Sequence, residues 1–199
     1  MGLFPVKPGE VATIVTSLEM RERPKPRPMP DSQLRLVRWD APAPGKYRAL
    51  FERVGAPWLW FSRLVMNEAR LVSIIHDPAV EIYAVADPRG IEVGLLELDF
   101  REAGQGELSY FGLVPELTGA GHGRWLMAQA LTRAWRKDVT RVWVHTCTLD
   151  HPRALGFYRA SGFVPYHRAV ETFADPRVTG HLPRDAAPHI PLIEPPSRR

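Results

Sequence analysis

The sequence predicts an α+β (mixed α/β) domain built around one central sheet, and three observations predict it. Strand-like and helix-like apolar periods are interleaved along the chain and do not fall into separate blocks. Three strand patterns in the middle of the chain are joined only by short turns, which makes them antiparallel neighbours. A glycine-rich turn, Gly119-Ala120-Gly121-His122-Gly123, then leads from an apolar strand straight into a helix. With 199 residues, 45% hydrophobic and 24% charged, the chain is long enough for one sizeable core and ordinary for a soluble globular protein.

The elements follow in order. Val11 to Met20 alternates as a strand, and the Arg21–Pro30 stretch after it, with prolines at 24, 26, 28 and 30, must be extended and cannot continue a ladder. Leu34 to Trp39 is a second short strand. Helical periods occupy Gly45–Val54 and Pro57–Ile75, with Pro57 placed at a helix start. Glu81–Ala86 and Glu92–Phe100 are strands joined by the turn Asp87-Pro88-Arg89-Gly90, and Glu107–Val114 is a third. A helix over Gly121–Arg136, a strand over Arg141–Leu149, a short helix over Pro152–Ser161 closed by Gly162, and a last strand over Phe163–Phe173 complete the pattern. From Ala174 onward proline recurs every few residues, and an irregular tail is expected. The chain thus divides into an N-terminal strand and proline-rich arm (1–33), a central domain (34–173) and a proline-rich C-terminal segment (174–199).

Charge and cysteine usage exclude several classes. The net charge of +4 is spread along the chain, so acidic ligands are welcome but nucleic acid is disfavoured. Pro196-Ser197-Arg198-Arg199 reads as a solvated tail. The single cysteine, Cys147, lies in an apolar strand, which leaves no internal disulfide and no cysteine metal cluster and makes a buried thiol the expectation. No stretch is long and apolar enough for a membrane span, and Met1-Gly2-Leu3-Phe4-Pro5 does not open a signal peptide, so a cytoplasmic location is expected. His122 and His145 read as local residues, and no His/Asp/Glu set has the spacing of a metal site. Asp150-His151 has no partner serine in a nucleophile elbow.

The glycine-rich turn carries the chemistry. A strand feeding such a turn and then a helix presents unpaired backbone N–H groups at the positive end of the helix dipole. That arrangement holds a phosphate or pyrophosphate without any charged side chain, and glycines at alternate positions let the backbone approach closely.

Leu113-Val114-Pro115-Glu116-Leu117-Thr118-Gly119-Ala120-Gly121-His122-Gly123-Arg124-Trp125-Leu126 resembles the acetyl-coenzyme A motif of the GCN5-related N-acetyltransferase (GNAT) family. The segment from Thr146 to Phe163 is similar to that family's second signature, Asn-x-x-Ala-x-x-Phe-Tyr-x-x-x-Gly-Phe, through Ala154, Phe157, Tyr158, Gly162 and Phe163. The resemblance covers residues 34 to 173 and implies a splayed, mostly antiparallel sheet flanked by helices. It departs from the family at Thr118, where Arg or Gln is usual, and at His151, where Asn is usual.

The resemblance implies an N-acetyltransferase that moves an acetyl group from acetyl-CoA to a primary amine of a small molecule, amino acid or peptide. It implies that backbone groups from Gly119 to Arg124, taking in Ala120, Gly121, His122 and Gly123, anchor the pyrophosphate. Thr118 and His151 border the same cofactor, and main-chain groups of Leu113 and Val114 pair with the pantetheine arm. Tyr158 aligns with the tyrosine that often protonates the leaving thiolate, a role a phenol suits. Its plainer role is packing the short helix on the sheet. Glu107 stands in the register of the glutamate that serves histone-type members as general base, which requires burial to raise its pKa. Glu97 and Asp99, on one face of the neighbouring strand, are the alternatives, as is proton removal through water. The aromatic run Trp58-Leu59-Trp60-Phe61-Ser62-Arg63 falls where the family lines its acceptor pocket. A non-catalytic acyl-CoA sensor on the same fold, and a homodimer, remain compatible with the sequence.

Overall fold

A computed structural model describes residues 2–196. Its strands are β1 (Glu10–Met20), β2 (Arg35–Trp39), β3 (Val80–Ala86), β4 (Glu92–Asp99), β5 (Gln105–Leu113), β6 (Arg141–Cys147) and β7 (Val164–Ala174). Its helices are α1 (Pro44–Gly55), α2 (Glu68–Ile75), α3 (His122–Ala134) and α4 (Ala154–Ala160). The strands form one seven-stranded sheet in the order β2-β3-β4-β5-β6-β1-β7. Every neighbouring pair is antiparallel except β5 and β6. The mixed α/β architecture and the middle antiparallel meander match the expectation. The placement of β1 between β6 and β7 does not follow from its sequence, because strand periodicity carries no information about partners.

Apolar spacing fixes the helices. Tyr47, Leu50, Phe51 and Val54 form one stripe of α1, and Trp125, Leu126, Met127, Ala130 and Ala134 form that of α3; all are buried. Successive strand residues face opposite sides. Gly112 of β5 abuts Val54 of α1, whereas Phe111 stacks on Phe157 of α4 with centroids 5.9 Å apart. Helices therefore cover both faces of the sheet beside β5.

One expected helix forms only in its C-terminal part. Residues 57–75 do not form a continuous helix: Ala56–Trp58 is a single 3-10 turn, after which Leu59 adopts φ 55°, a left-handed conformation that ends helical winding. The chain then loops until Asn67, whose side chain accepts a hydrogen bond from the Arg70 N–H at 2.8 Å and starts α2. The aromatic residues at 58, 60 and 61 carried an apparent helical period across a loop.

The terminal segments are tied to the domain. The N-terminal arm passes α3, where Ser32 Oγ lies 2.9 Å from His122 Nδ1. The C-terminal segment lacks regular structure, as expected, but it is packed. Asp175 and Arg177 form a buried ion pair at 2.7 Å, and Arg177 also donates to the Ile190 carbonyl at 2.9 Å. Leu182 and Ala187 join Val11, Leu59 and Leu149 in a second small core. Of the stretch read as a solvated tail, Ser197–Arg199 lies outside the described residues. Among the described residues no helix is long and apolar enough to cross a membrane.

Candidate active site

The site forms where the sheet splits. β5 and β6 pair only at Gln105↔Arg141, Gly106↔Val142 and Glu107↔Trp143. Beyond Glu107 the two strands diverge, and a cavity of about 560 Å³ opens between them. A β-bulge in β5 sets its chemistry: Leu98 pairs with Leu108 but Glu97 pairs with Tyr110, so Ser109 is the extra residue. The bulge reverses the alternation, bringing Glu107 and Tyr110 onto the same face as Asp99 and Glu97, under α1.

The glycine-rich turn forms one end of the cavity. Gly119 (φ 90°) and Gly121 (φ 86°) both occupy the left-handed region, which side chains rarely adopt. Gly121 caps α3, a 13-residue helix whose dipole points its positive end into the turn. Among the described residues, the N–H groups of residues 119–123 have no backbone partner. A turn with free donors, a helix N-terminus and the Arg124 guanidinium beside Gly121 fits a pyrophosphate.

The other residues expected at the cofactor divide into two sets. Leu113, Thr118, Gly119, Gly121, Gly123, Arg124, His151 and Tyr158 line the cavity. Val114, Ala120 and His122 do not. The Val114 N–H is bonded to the Val93 carbonyl of β4 at 2.9 Å and its carbonyl accepts from Leu117 in the following 3-10 turn at 3.1 Å, so both groups are already used. Ala120 is exposed between the two glycines, and His122 is held by Ser32 of the N-terminal arm.

Tyr158 projects from α4 into the middle of the cavity wall while remaining buried. Burial, helped by the negative charge of Asp150, holds its hydroxyl far above the ordinary phenol range. It is therefore a neutral donor at any working pH. Asp150 is fixed by the Thr146 hydroxyl at 2.7 Å, the Cys147 N–H at 2.9 Å and Trp60 Nε1 at 3.2 Å. Burial also raises the Cys147 thiol, with Asp150 adding to the effect, which keeps it protonated on the cavity wall.

The three candidate carboxylates have different surroundings. Glu97 is fully buried; Arg63 and the Tyr47 hydroxyl (2.5 Å) both donate to it. Asp99 is bound by Arg101, with Nε 2.9 Å from Oδ2. Both are thus paired with an arginine. Glu107 has no such partner. Burial, reinforced by Asp99 and Glu97 and opposed by Arg63, pushes its carboxyl up to about 7. Glu107 nevertheless does not itself line the cavity; the residue that does is His145, whose Nδ1 lies 3.8 Å from Glu107 Oε1. Sequence reading took His145 as a local strand residue, because its proximity to Glu107 depends on the parallel pairing of β5 with β6.

Opposite the glycine turn the cavity is aromatic. The loop after α1 contributes Trp58, Trp60 and Phe61, and Phe61 stacks on Phe173 of β7 with centroids 4.5 Å apart. Ser62 Oγ and the Tyr110 hydroxyl lie 2.5 Å apart, and Glu171 completes the β7 wall. Phe173 and Glu171 gave no sequence signal, since nothing local shows that β7 borders the site. Among the described residues no cluster of three His, Cys, Asp or Glu side chains could hold a metal ion.

A model of the acetyltransferase (GNAT) family matches residues 34–163, and the chain belongs to that family. Among solved structures it is similar to a spermidine N-acetyltransferase from Vibrio cholerae (20% identity, TM-score 0.51, covering 74% of this chain and 96% of that one). It is also similar to a tandem GNAT protein from the clavulanic acid biosynthesis pathway (17%, 0.52, 81% and 53%). A functionally unknown conserved protein from Staphylococcus epidermidis shows the same fold (12%, 0.54, 84% and 63%). The chain thus spans 53% and 63% of the length of the last two. No curated protein matches the sequence.

Proposed function

We propose that the protein transfers an acetyl group from acetyl-CoA to the primary amine of a small molecule, amino acid or peptide. The observation that carries this reading is the continuity of one cavity from the glycine turn, past Tyr158, to the aromatic wall and His145. Family membership and the likeness to a spermidine N-acetyltransferase support an amine acceptor. When bound, acetyl-CoA supplies the thioester carbon that the amine attacks. The N–H groups of residues 119–123 hold its pyrophosphate, and the edge of β5 at Leu113, which β6 leaves uncovered, lies along its arm. Tyr158 donates its proton to the sulfur as the C–S bond breaks. Glu107 assists removal of the proton the ammonium must lose. The stacked Phe61 and Phe173 favour an acceptor with an apolar body, and Glu171 favours a positive one.

Calorimetric titration with acetyl-CoA, followed by thiol release over a panel of amines, amino acids and peptides, tests this. We expect binding, and thiol release with at least one amine. Gly121→Val should weaken binding about tenfold, since a side chain forced into the left-handed region costs about 1–2 kcal/mol. Unchanged affinity would remove the pyrophosphate from this turn. Binding without thiol release from any acceptor would favour the acyl-CoA sensor.

A further inference from the structure

We infer that His145 is the group that takes the proton from the acceptor ammonium, with Glu107 as the positioning residue that holds and balances it. The inference deepens the transferase reading and rests on it. Glu107, its side chain 22% exposed and outside the cavity lining, is not placed to meet an ammonium there directly. His145 can: it lines the cavity, its side chain is 49% exposed, and its Nδ1 faces Glu107 at 3.8 Å. That leaves Nε2 as the atom free for the substrate. The separation is an ion-pair distance rather than a hydrogen bond, and such contacts tighten when a site is filled.

The parallel pairing of Glu107 with Trp143 puts His145 two residues further along β6, on the same face and at the first position past the split. Nothing else nearby competes for the task. On β5, Tyr110 is occupied by Ser62. On β1, Glu19 is bound by Arg141 and Arg21. On β6, Cys147 remains a thiol, and behind Glu107 both Glu97 and Asp99 are paired with arginines. On β7, His167 lies beyond Ser17, which is the Cα partner of both histidines, and Glu171 lies opposite Thr13, further along β1 from Ser17. Burial and its two acidic neighbours make Glu107 a carboxylate suited to receiving and sharing a proton near neutrality.

The step balances as follows. The ammonium gives one proton to Nε2 of His145, the imidazolium is stabilised by Glu107, and that proton leaves to solvent through the exposed edge of the ring. The nitrogen lone pair then forms the N–C bond as the C–S bond breaks. The second nitrogen proton replaces the one that Tyr158 gives to sulfur.

His145→Gln should lower kcat about 100-fold, within the range of a lost general base, with acetyl-CoA affinity unchanged. Imidazole added to His145→Ala should restore part of the turnover. Glu107→Gln, which leaves the imidazole in place, should retain more turnover than His145→Gln. Independently of activity, carboxyl NMR of the ligand-free protein should show Glu107 titrating in two steps in the wild type and one in His145→Gln. Turnover of His145→Gln within threefold of wild type, or a loss that imidazole does not rescue, would overturn the role. So would a Glu107 titration that is identical in both proteins. Absence of thiol release by the wild type with every amine would instead sink the transferase reading on which the role depends.

Discussion

The two halves of the sheet are built differently. In β3 and β4 nearly every residue is buried on both faces, whereas β7 is exposed along almost its whole length and β6 alternates. The first half is packed between helices; the second leaves one face open to the cavity. Two glutamates on the same face show what the difference does. Glu97, in the packed half, is neutralised by Arg63 and Tyr47. Glu107, one strand nearer the split, is left without a cation, and its carboxyl is pushed up to about 7. Charge serves structure on one side of the seam and is available for chemistry on the other.

Removing the cation on the packed side is the strongest way to break this contrast. Arg63→Ala leaves Glu97 charged and buried without a partner, which should cost about 3–5 kcal/mol in chemical denaturation. It also strips the positive charge that opposes the rise at Glu107. A loss below 1 kcal/mol would mean that Glu97 takes up a proton instead, and that the two glutamates are alike after all.

Tyr158→Phe probes the other side. The ring keeps its edge-on contacts with Phe111 and Phe163, so the fold should hold. Only the hydroxyl is removed; if it is the proton donor proposed above, turnover should fall about 100-fold, with acetyl-CoA affinity nearly unchanged. Equal turnover in steady-state assays would return Tyr158 to a packing role.

How much of this could be read in the sequence follows the same seam. The glycine turn, α3, α4 and the middle meander announce themselves through local rules: left-handed glycines, helical stripes and short turns. Tyr158 and Glu107 stand out through the motif alone. Non-local facts were not legible. The bulge at Ser109, the entry of β1 between β6 and β7, and the contact of Phe61 with Phe173 depend on which strands meet. His145 could have been found only by knowing that β6 runs parallel to β5. The left-handed turn at Leu59 was hidden because aromatic residues continued a helical period through it. Asn67 followed by Glu68 was the one available signal that a new helix begins there.

The smallest effect sharpens the comparison most, because it needs no ligand. A carboxyl whose folded-state pKa is raised binds its proton more tightly in the folded chain than in the unfolded one. Its contribution is therefore fully present below the unfolded value, near 4.5, and is lost as pH rises through about 7. Glu107 should thus make the wild type less stable at pH 8 than at pH 5 relative to a chain lacking that titration. Glu107→Gln is such a chain. It should be more stable than the wild type by on the order of 2 kcal/mol at pH 8, and the gap should close by pH 4 to 5. Paired urea unfolding curves at the two pH values measure this directly. A gap that does not change with pH would mean that Glu107 is charged in the folded protein throughout, as an ordinary surface glutamate is. The electrostatic difference between the halves of the sheet would then reduce to the single ion pair at Glu97.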